Sequence, residues 1–201
     1  MKKIISIVLI IASVLTLFCS CSGKPVECGD YTYVVLEDDT AKITKYNGTE
    51  NVVELKIPES LDDYTVTVIG KEAFKDVQNI TNITTPDTLI KIEEYAFANS
   101  SIKRAYLNRS QLLTEIGEYA FSECKNLIQT DFPRSLQVIG NYAFYYCEKL
   151  KFVHFRADDV NIAEFAFDAC PKAEFRIKSD FAKVKKYAED YGFKFVLTDN
   201  R

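Results

Sequence analysis

The 201-residue sequence predicts an α/β-type repeat solenoid, a right-handed coil with one parallel sheet, closed by an N-terminal β-hairpin and a C-terminal helix-strand cap. Three observations predict it. Ala-Phe pairs recur at Ala73-Phe74, Ala96-Phe97, Ala120-Phe121, Ala143-Phe144 and Ala166-Phe167, spaced by 23, 24, 23 and 23 residues. An isoleucine stands four residues before each alanine, at Ile69, Ile92, Ile116, Ile139 and Ile162. A short alternating segment follows each pair. A fixed period of this length means units that bury their apolar faces only by stacking on one another.

The N-terminus belongs to targeting rather than to the fold. Lys2 and Lys3 precede an apolar run from Ile4 to Phe18, the pattern of a secretory signal over residues 1–20. As a helix this run spans ~22 Å, short of the ~30 Å hydrocarbon core, so a permanent membrane span is not expected. Leu17-Phe18-Cys19-Ser20-Cys21-Ser22-Gly23 resembles a lipobox, in which a small residue precedes a cysteine that is acylated. Cys21 after Ser20 fits better than Cys19 after bulky Phe18. The expected product is a lipoprotein whose membrane attachment is the lipid on Cys21 alone. The alternative is an ordinary secreted protein with incidental cysteines.

Removing Lys2 and Lys3 from the 25 basic residues leaves 23 against 29 acidic ones, a net charge near -6. Nucleic acid is not an expected partner. Residues 21–30 read as a tether and residues 31–201 as one domain. Its first part, 31–51, is an N-terminal cap, since Tyr31 to Leu36 and Ala41 to Tyr46 flank the turn-forming Glu37-Asp38-Asp39-Thr40.

The repeats occupy 52–178. Val53-Glu54-Leu55-Lys56-Ile57-Pro58 has strand alternation and a closing proline but no preceding Ala-Phe, so it supplies the strand of an initial coil. The later strands carry the inward pairs Ile83/Thr85, Ala105/Leu107, Thr130/Phe132, Val153/Phe155 and Phe175/Ile177, with Pro86 and Pro133 ending two of them. Gly70, Gly117 and Gly140 follow their isoleucines. Glu93 and Ala163 take that place elsewhere, so the position does not demand positive φ.

The C-terminal cap, 179–201, starts with Ser179 or Asp180 as helix cap. Phe181, Val184, Tyr187, Ala188 and Tyr191 then share one helical face, Gly192 stops the helix and Phe193 to Leu197 returns as a strand. Both ends of the coil are thus expected to be covered, as a complete solenoid requires.

These residues resemble the BspA-like leucine-rich repeat family of bacterial surface proteins, with units of Ile-Gly, two variable residues, Ala-Phe, a small residue, then Leu and an Ile-Pro strand. Ile116-Gly117-Glu118-Tyr119-Ala120-Phe121-Ser122-Glu123-Cys124-Lys125-Asn126-Leu127 carries the resemblance most fully. It covers about 52–178, and Ser179 to Leu197 is similar to the family's terminal helix cap. The chain departs from the pattern in having few repeats and an irregular stretch from Asn99 to Glu115. The resemblance implies a cell-surface protein that attaches to or recognises other macromolecules, with no shared catalytic residues.

Four features are candidates for chemistry. Cys124, Cys147 and Cys170 form a column with Val77 and Ser100, which reads as small buried packing; a disulfide between coils or a thiolate metal site is the alternative. Cys28 has no identifiable partner. Tyr95, Tyr119, Tyr142 and Phe165, with Glu72 at their head, form an aromatic column that reads as packing, or else as a ligand-facing strip which Tyr145 and Tyr146 extend. The third feature is the acidic doublets Glu93-Glu94 and Asp158-Asp159, which fall in turns and do not converge on one site.

The fourth is the outward strand face, which holds Lys56, Thr84, Tyr106, Asp131, His154 and Arg176 in one column and Glu54, Asn82, Arg104, Gln129, Phe152 and Glu174 in the other. Arg104, Tyr106, Phe152, His154 and Arg176 are the expected ligand-binding residues, being types favoured at interfaces; otherwise the columns are simply solvated strand. One histidine, no nucleophile elbow and no phosphate loop point to a non-catalytic protein without cofactor or metal. The expected partner is an extracellular or host protein, alternatively a glycan; a purely structural envelope role is the remaining reading.

Overall fold

The computed structural model describes residues 23–198. The signal segment, Cys19, Cys21 and Ser22 lie outside the described residues. Among those described, no helix is long and apolar enough to cross a membrane.

The chain starts as an antiparallel meander of β1 (Val26–Cys28), β2 (Tyr31–Val35) and β3 (Thr40–Tyr46). β2 and β3 are the expected hairpin, with Asp39 at φ 59° in its turn. β1 lies within the stretch read as a tether and is paired rather than free. The hairpin buries Tyr33, Ala41, Ile43 and Tyr46, and Tyr33 donates a 2.6 Å hydrogen bond to Asp62.

Two parallel ladders follow on opposite walls. The expected sheet consists of β4 (Val52–Lys56), β7 (Ile80–Thr84), β9 (Arg104–Tyr106), β11 (Gln129–Asp131), β13 (Phe152–His154), β15 (Glu174–Ile177) and β16 (Lys194–Leu197), in that order. All ten of its predicted inward residues are buried, with Ile83, Ala105, Thr130, Val153 and Phe175 at 0 % exposure. The opposite wall holds a second, shorter ladder that periodicity did not show. It consists of β6 (Tyr64–Ile69), β8 (Lys91–Ile92), β10 (Glu115–Ile116), β12 (Val138–Ile139) and β14 (Asn161–Ile162), with β5 (Ser60–Leu61) folded back on β6 and the hairpin continuing it through β3. Its two-residue strands are too short to alternate. Their one recurrent mark is the isoleucine of each repeat.

The Ala-Phe pairs sit in the tight turns after this wall. Phe74, Phe97, Phe121, Phe144 and Phe167 are fully buried and stack at 4.8, 4.9, 5.2 and 4.9 Å. Ring stacking and strand pairing share one repeat of about 4.8 Å, so a single coil height satisfies both. The first four turns hold two left-handed residues each, such as Glu72 and Asp76, Tyr95 and Asn99, or Tyr119 and Glu123, and the last holds Ala169 alone. Every second N–H of such a turn points at the next coil: Tyr95, Phe97 and Asn99 donate to the carbonyls of Glu118, Ala120 and Ser122. Gly117 and Gly140 are not at positive φ. A Cβ there would come within 2.9 and 2.7 Å of the preceding coil's backbone, which explains why glycine is frequent at this place without being required for dihedral reasons.

The end cap is α1 (Ala182–Asp190), with Val184, Tyr187 and Ala188 buried beside Phe181, followed by Gly192 at φ +73° and β16. Two details differ from expectation. Neither Ser179 nor Asp180 caps the helix. The N-cap residue is Phe181, without a side-chain bond, and Asp158 Oδ1, 25 residues earlier, accepts from Lys183 N at 3.0 Å and Val184 N at 3.5 Å. Tyr191 is 45 % exposed rather than buried, because the chain leaves the helix there to begin β16. The Tyr187 hydroxyl donates to the Glu164 carbonyl at 3.1 Å, tying the cap to the last turn.

Candidate functional site

Parallel registry places the outward strand residues in straight columns. Arg104, Gln129, Phe152 and Glu174 are successive partners, as are Tyr106, Asp131, His154 and Arg176. The five sequence-selected residues therefore occupy one continuous four-strand patch, with Gln129 and Asp131 at its middle. Sequence reasoning placed these two in the columns without selecting them.

Contacts within the patch fix its side chains. The Arg176 guanidinium lies 4.1 Å from the Phe152 ring centroid and the Lys151 ammonium 4.9 Å, so two cations lie over the ring. His154 Nδ1 stands 2.7 Å from Asp131 Oδ1, and Gln129 Nε2 donates to Asp131 Oδ2 at 2.8 Å. Burial pushes the Asp131 carboxyl up. The hydrogen bonds from His154 and Gln129, with the charges of His154 and Arg156, outweigh that and hold it below its ordinary value. Arg176 Nε is 3.6 Å from Glu174 Oε1, within ion-pair range but beyond hydrogen bonding.

The face is less open than alternation alone suggests. Arg104 is exposed, but Tyr106, Phe152, His154 and Arg176 are half-buried, and Thr84 and Asp131 are buried under neighbouring side chains. Three polar atoms in it, Asn82 Oδ1, His154 Nε2 and Arg176 Nε, are shielded and have no hydrogen-bond partner among the described residues.

Residues 41–174 match the BspA type leucine rich repeat region, in six copies. The chain belongs to the BspA-type leucine-rich repeat family. Solved structures agree. The T. pallidum leucine rich repeat protein is 29 % identical with a TM-score of 0.68, over 76 % of this chain and 71 % of its own. A leucine rich cell surface protein from Faecalibacterium prausnitzii is 26 % identical with a TM-score of 0.57, over 78 % of this chain and 49 % of its own. A leucine-rich repeat protein from Bacteroides ovatus, 24 % identical with a TM-score of 0.57 over 75 % of this chain and 46 % of its own, shares the fold. No match is found among curated proteins.

In this BspA-type chain the remaining candidate features all make contacts within the scaffold. Cys124, Cys147 and Cys170 are buried free thiols, and each donates to the carbonyl of the preceding coil's anchor, Phe97 at 3.1 Å, Phe121 at 3.2 Å and Phe144 at 3.0 Å. Burial pushes the Cys124 thiol up to about 11 and the Cys147 thiol well above its ordinary value. Cys28 is also a free thiol, 3.4 Å from Asp62 Oδ1. Among the described residues no group of three or more His, Cys, Asp or Glu is placed to hold a metal ion.

The acidic doublets serve the scaffold. Glu93 takes the Lys42 ammonium and the Lys71 N–H, Glu94 pairs with Lys71, Asp158 caps α1 and Asp159 pairs with Lys183. The aromatic column stacks as packing requires, Tyr95 on Tyr119 at 4.8 Å, Tyr119 on Tyr142 at 5.0 Å and Tyr142 on Phe165 at 5.5 Å.

Proposed function

We propose that this BspA-type protein is a non-catalytic, extracytoplasmic cell-surface lipoprotein, anchored through Cys21, that recognises an extracellular or host protein with the outward face of its long-strand sheet. Arg104, Tyr106, Phe152, His154 and Arg176 form the contact surface. The observation that carries this reading is Phe152, a half-buried ring with the Arg176 guanidinium and the Lys151 ammonium over it. Aromatic and arginine side chains that are already ordered lose little entropy on docking. The Faecalibacterium prausnitzii neighbour is itself described as a cell surface protein, which supports the location.

The test is a protein array of extracellular and host surface proteins probed with the chain and with a Phe152→Ser, Tyr106→Ser double variant. A partner held by the parent and lost by a stably folded double variant is expected. Equal retention of every partner would remove this face from consideration. Anchoring is tested separately, since Cys21→Ala should release the protein from the membrane fraction.

A further inference from the structure

The aromatic column of the turns ends in open space. Phe165 has Tyr142 stacked on one face, and it is 41 % exposed because no further coil follows it. Between this last turn and the end cap lies a groove of about 800 Å3, bordered by Phe165, Tyr191, Glu164, Asp168, Lys172 and Lys194. That volume falls within the ~300–1,000 Å3 of small-molecule sites. Its two exposed aromatics are Phe165 and Tyr191, the residue expected in the buried face of the helix.

The polar groups at the rim carry both signs. Glu164, Lys172 and Lys194 form no ion pair among the described residues, whereas Lys183, Lys185 and Lys186 of the adjoining helix are each paired with a carboxylate. Free carboxylates accept hydrogen bonds and free ammonium groups donate them. Mixed charge around apolar rings suits a neutral ligand rich in hydroxyls, with a C–H-lined face to lay on an aromatic surface. Three lysines, Lys151, Lys172 and Lys194, face three acidic residues, Glu164, Asp168 and Glu174, so a net charge of either sign gains nothing. An extended peptide would seek the free edge strand β16, which borders the groove through Lys194 alone, whereas the aromatic walls are a turn and a helix end.

We propose that this groove binds a neutral oligosaccharide, one pyranose ring of which stacks on Phe165 in the place a further coil's aromatic residue would take, with Tyr191 as the second platform. The groove borders the strand face at Lys151 and Glu174, but its two aromatic platforms lie off that face and the proposal does not depend on the face's role.

The test is a glycan array of neutral and acidic oligosaccharides probed with the full chain, with Phe165→Ser, with Tyr191→Ser and with the Phe152→Ser, Tyr106→Ser double variant. The full chain and the strand-face variant should retain a set of neutral oligosaccharides, and both groove variants should weaken that retention about tenfold or more while melting cooperatively. No neutral saccharide retained, retention of acidic sugars only, or retention indifferent to both groove substitutions would each overturn the proposal. Loss in the strand-face variant alone would also overturn it, by moving the sugar to the sheet. A protein partner on the parallel protein array that only the groove variants lose would replace the sugar as occupant.

Discussion

His154 Nδ1 lies 2.7 Å from Asp131 Oδ1 across two neighbouring strands, between Tyr106 on one side and Arg176 on the other. Because Asp131 is held below its ordinary value of 3.8, its ionised form stabilises the folded state more than the unfolded one. This contribution is present above about pH 4 and is lost as the pH falls through the depressed folded-state value. Asp131→Asn should cost about 1.5–3 kcal/mol at pH 7, the scale of a hydrogen bond to a charged group. It should cost much less at pH 2. Urea denaturation at the two pH values checks this, and an equal loss at both would assign the cost to packing.

The three repeat thiols should be inert in the native protein. Cys124, Cys147 and Cys170 are at most 4 % exposed, and each is hydrogen-bonded to a carbonyl. A maleimide or disulfide reagent at pH 8 should label the partly exposed Cys28 and leave these three until denaturant is added. Burial raises the Cys124 thiol, so its stabilising effect is whole below its ordinary value of 9.0 and is lost as the pH rises from there through about 11. Protection of only one or two of the thiols would show that the coils open independently.

Asp158 should be worth more than its place in an exposed turn implies. Its carboxylate meets the N–H groups of Lys183 and Val184 at the start of α1, where the helix has no local side-chain cap. Asp158→Ala should cost about 1 kcal/mol, as for loss of an N-cap. The faster hydrogen exchange should be confined to 182–190 and β16. Ser179→Ala and Asp180→Ala serve as comparisons, and either matching Asp158→Ala would contradict the assigned cap.

How far the fold is legible follows from the length of each signal. The Ala-Phe interval yields the coil, and the alternation yields the ten inward residues of the five later strands, because these marks repeat five times; in the first coil's strand it fails at Val53, which is 73 % exposed. The second ladder escapes because two residues cannot show a period, although its isoleucines are evident. β1 escapes too, as Val26–Cys28 is three residues without a pattern. The cap on α1 was sought within a few residues of the helix, as local rules direct, but it comes from a turn one coil earlier.

The candidate site divides in the same way. The sequence by itself determined the period, the register and so which residues share a column, because ring stacking and strand pairing both repeat at about 4.8 Å and admit one alignment of the coils. Only the tertiary structure decided how columns interact sideways. It buries Asp131 between Gln129 and His154, lays Arg176 over Phe152, and leaves Phe165 and Tyr191 facing an open groove. The reason is physical: periodicity fixes the direction in which a side chain leaves the backbone, while its exposure depends on the reach and charge of neighbours one coil away and on the place where the stack of coils stops.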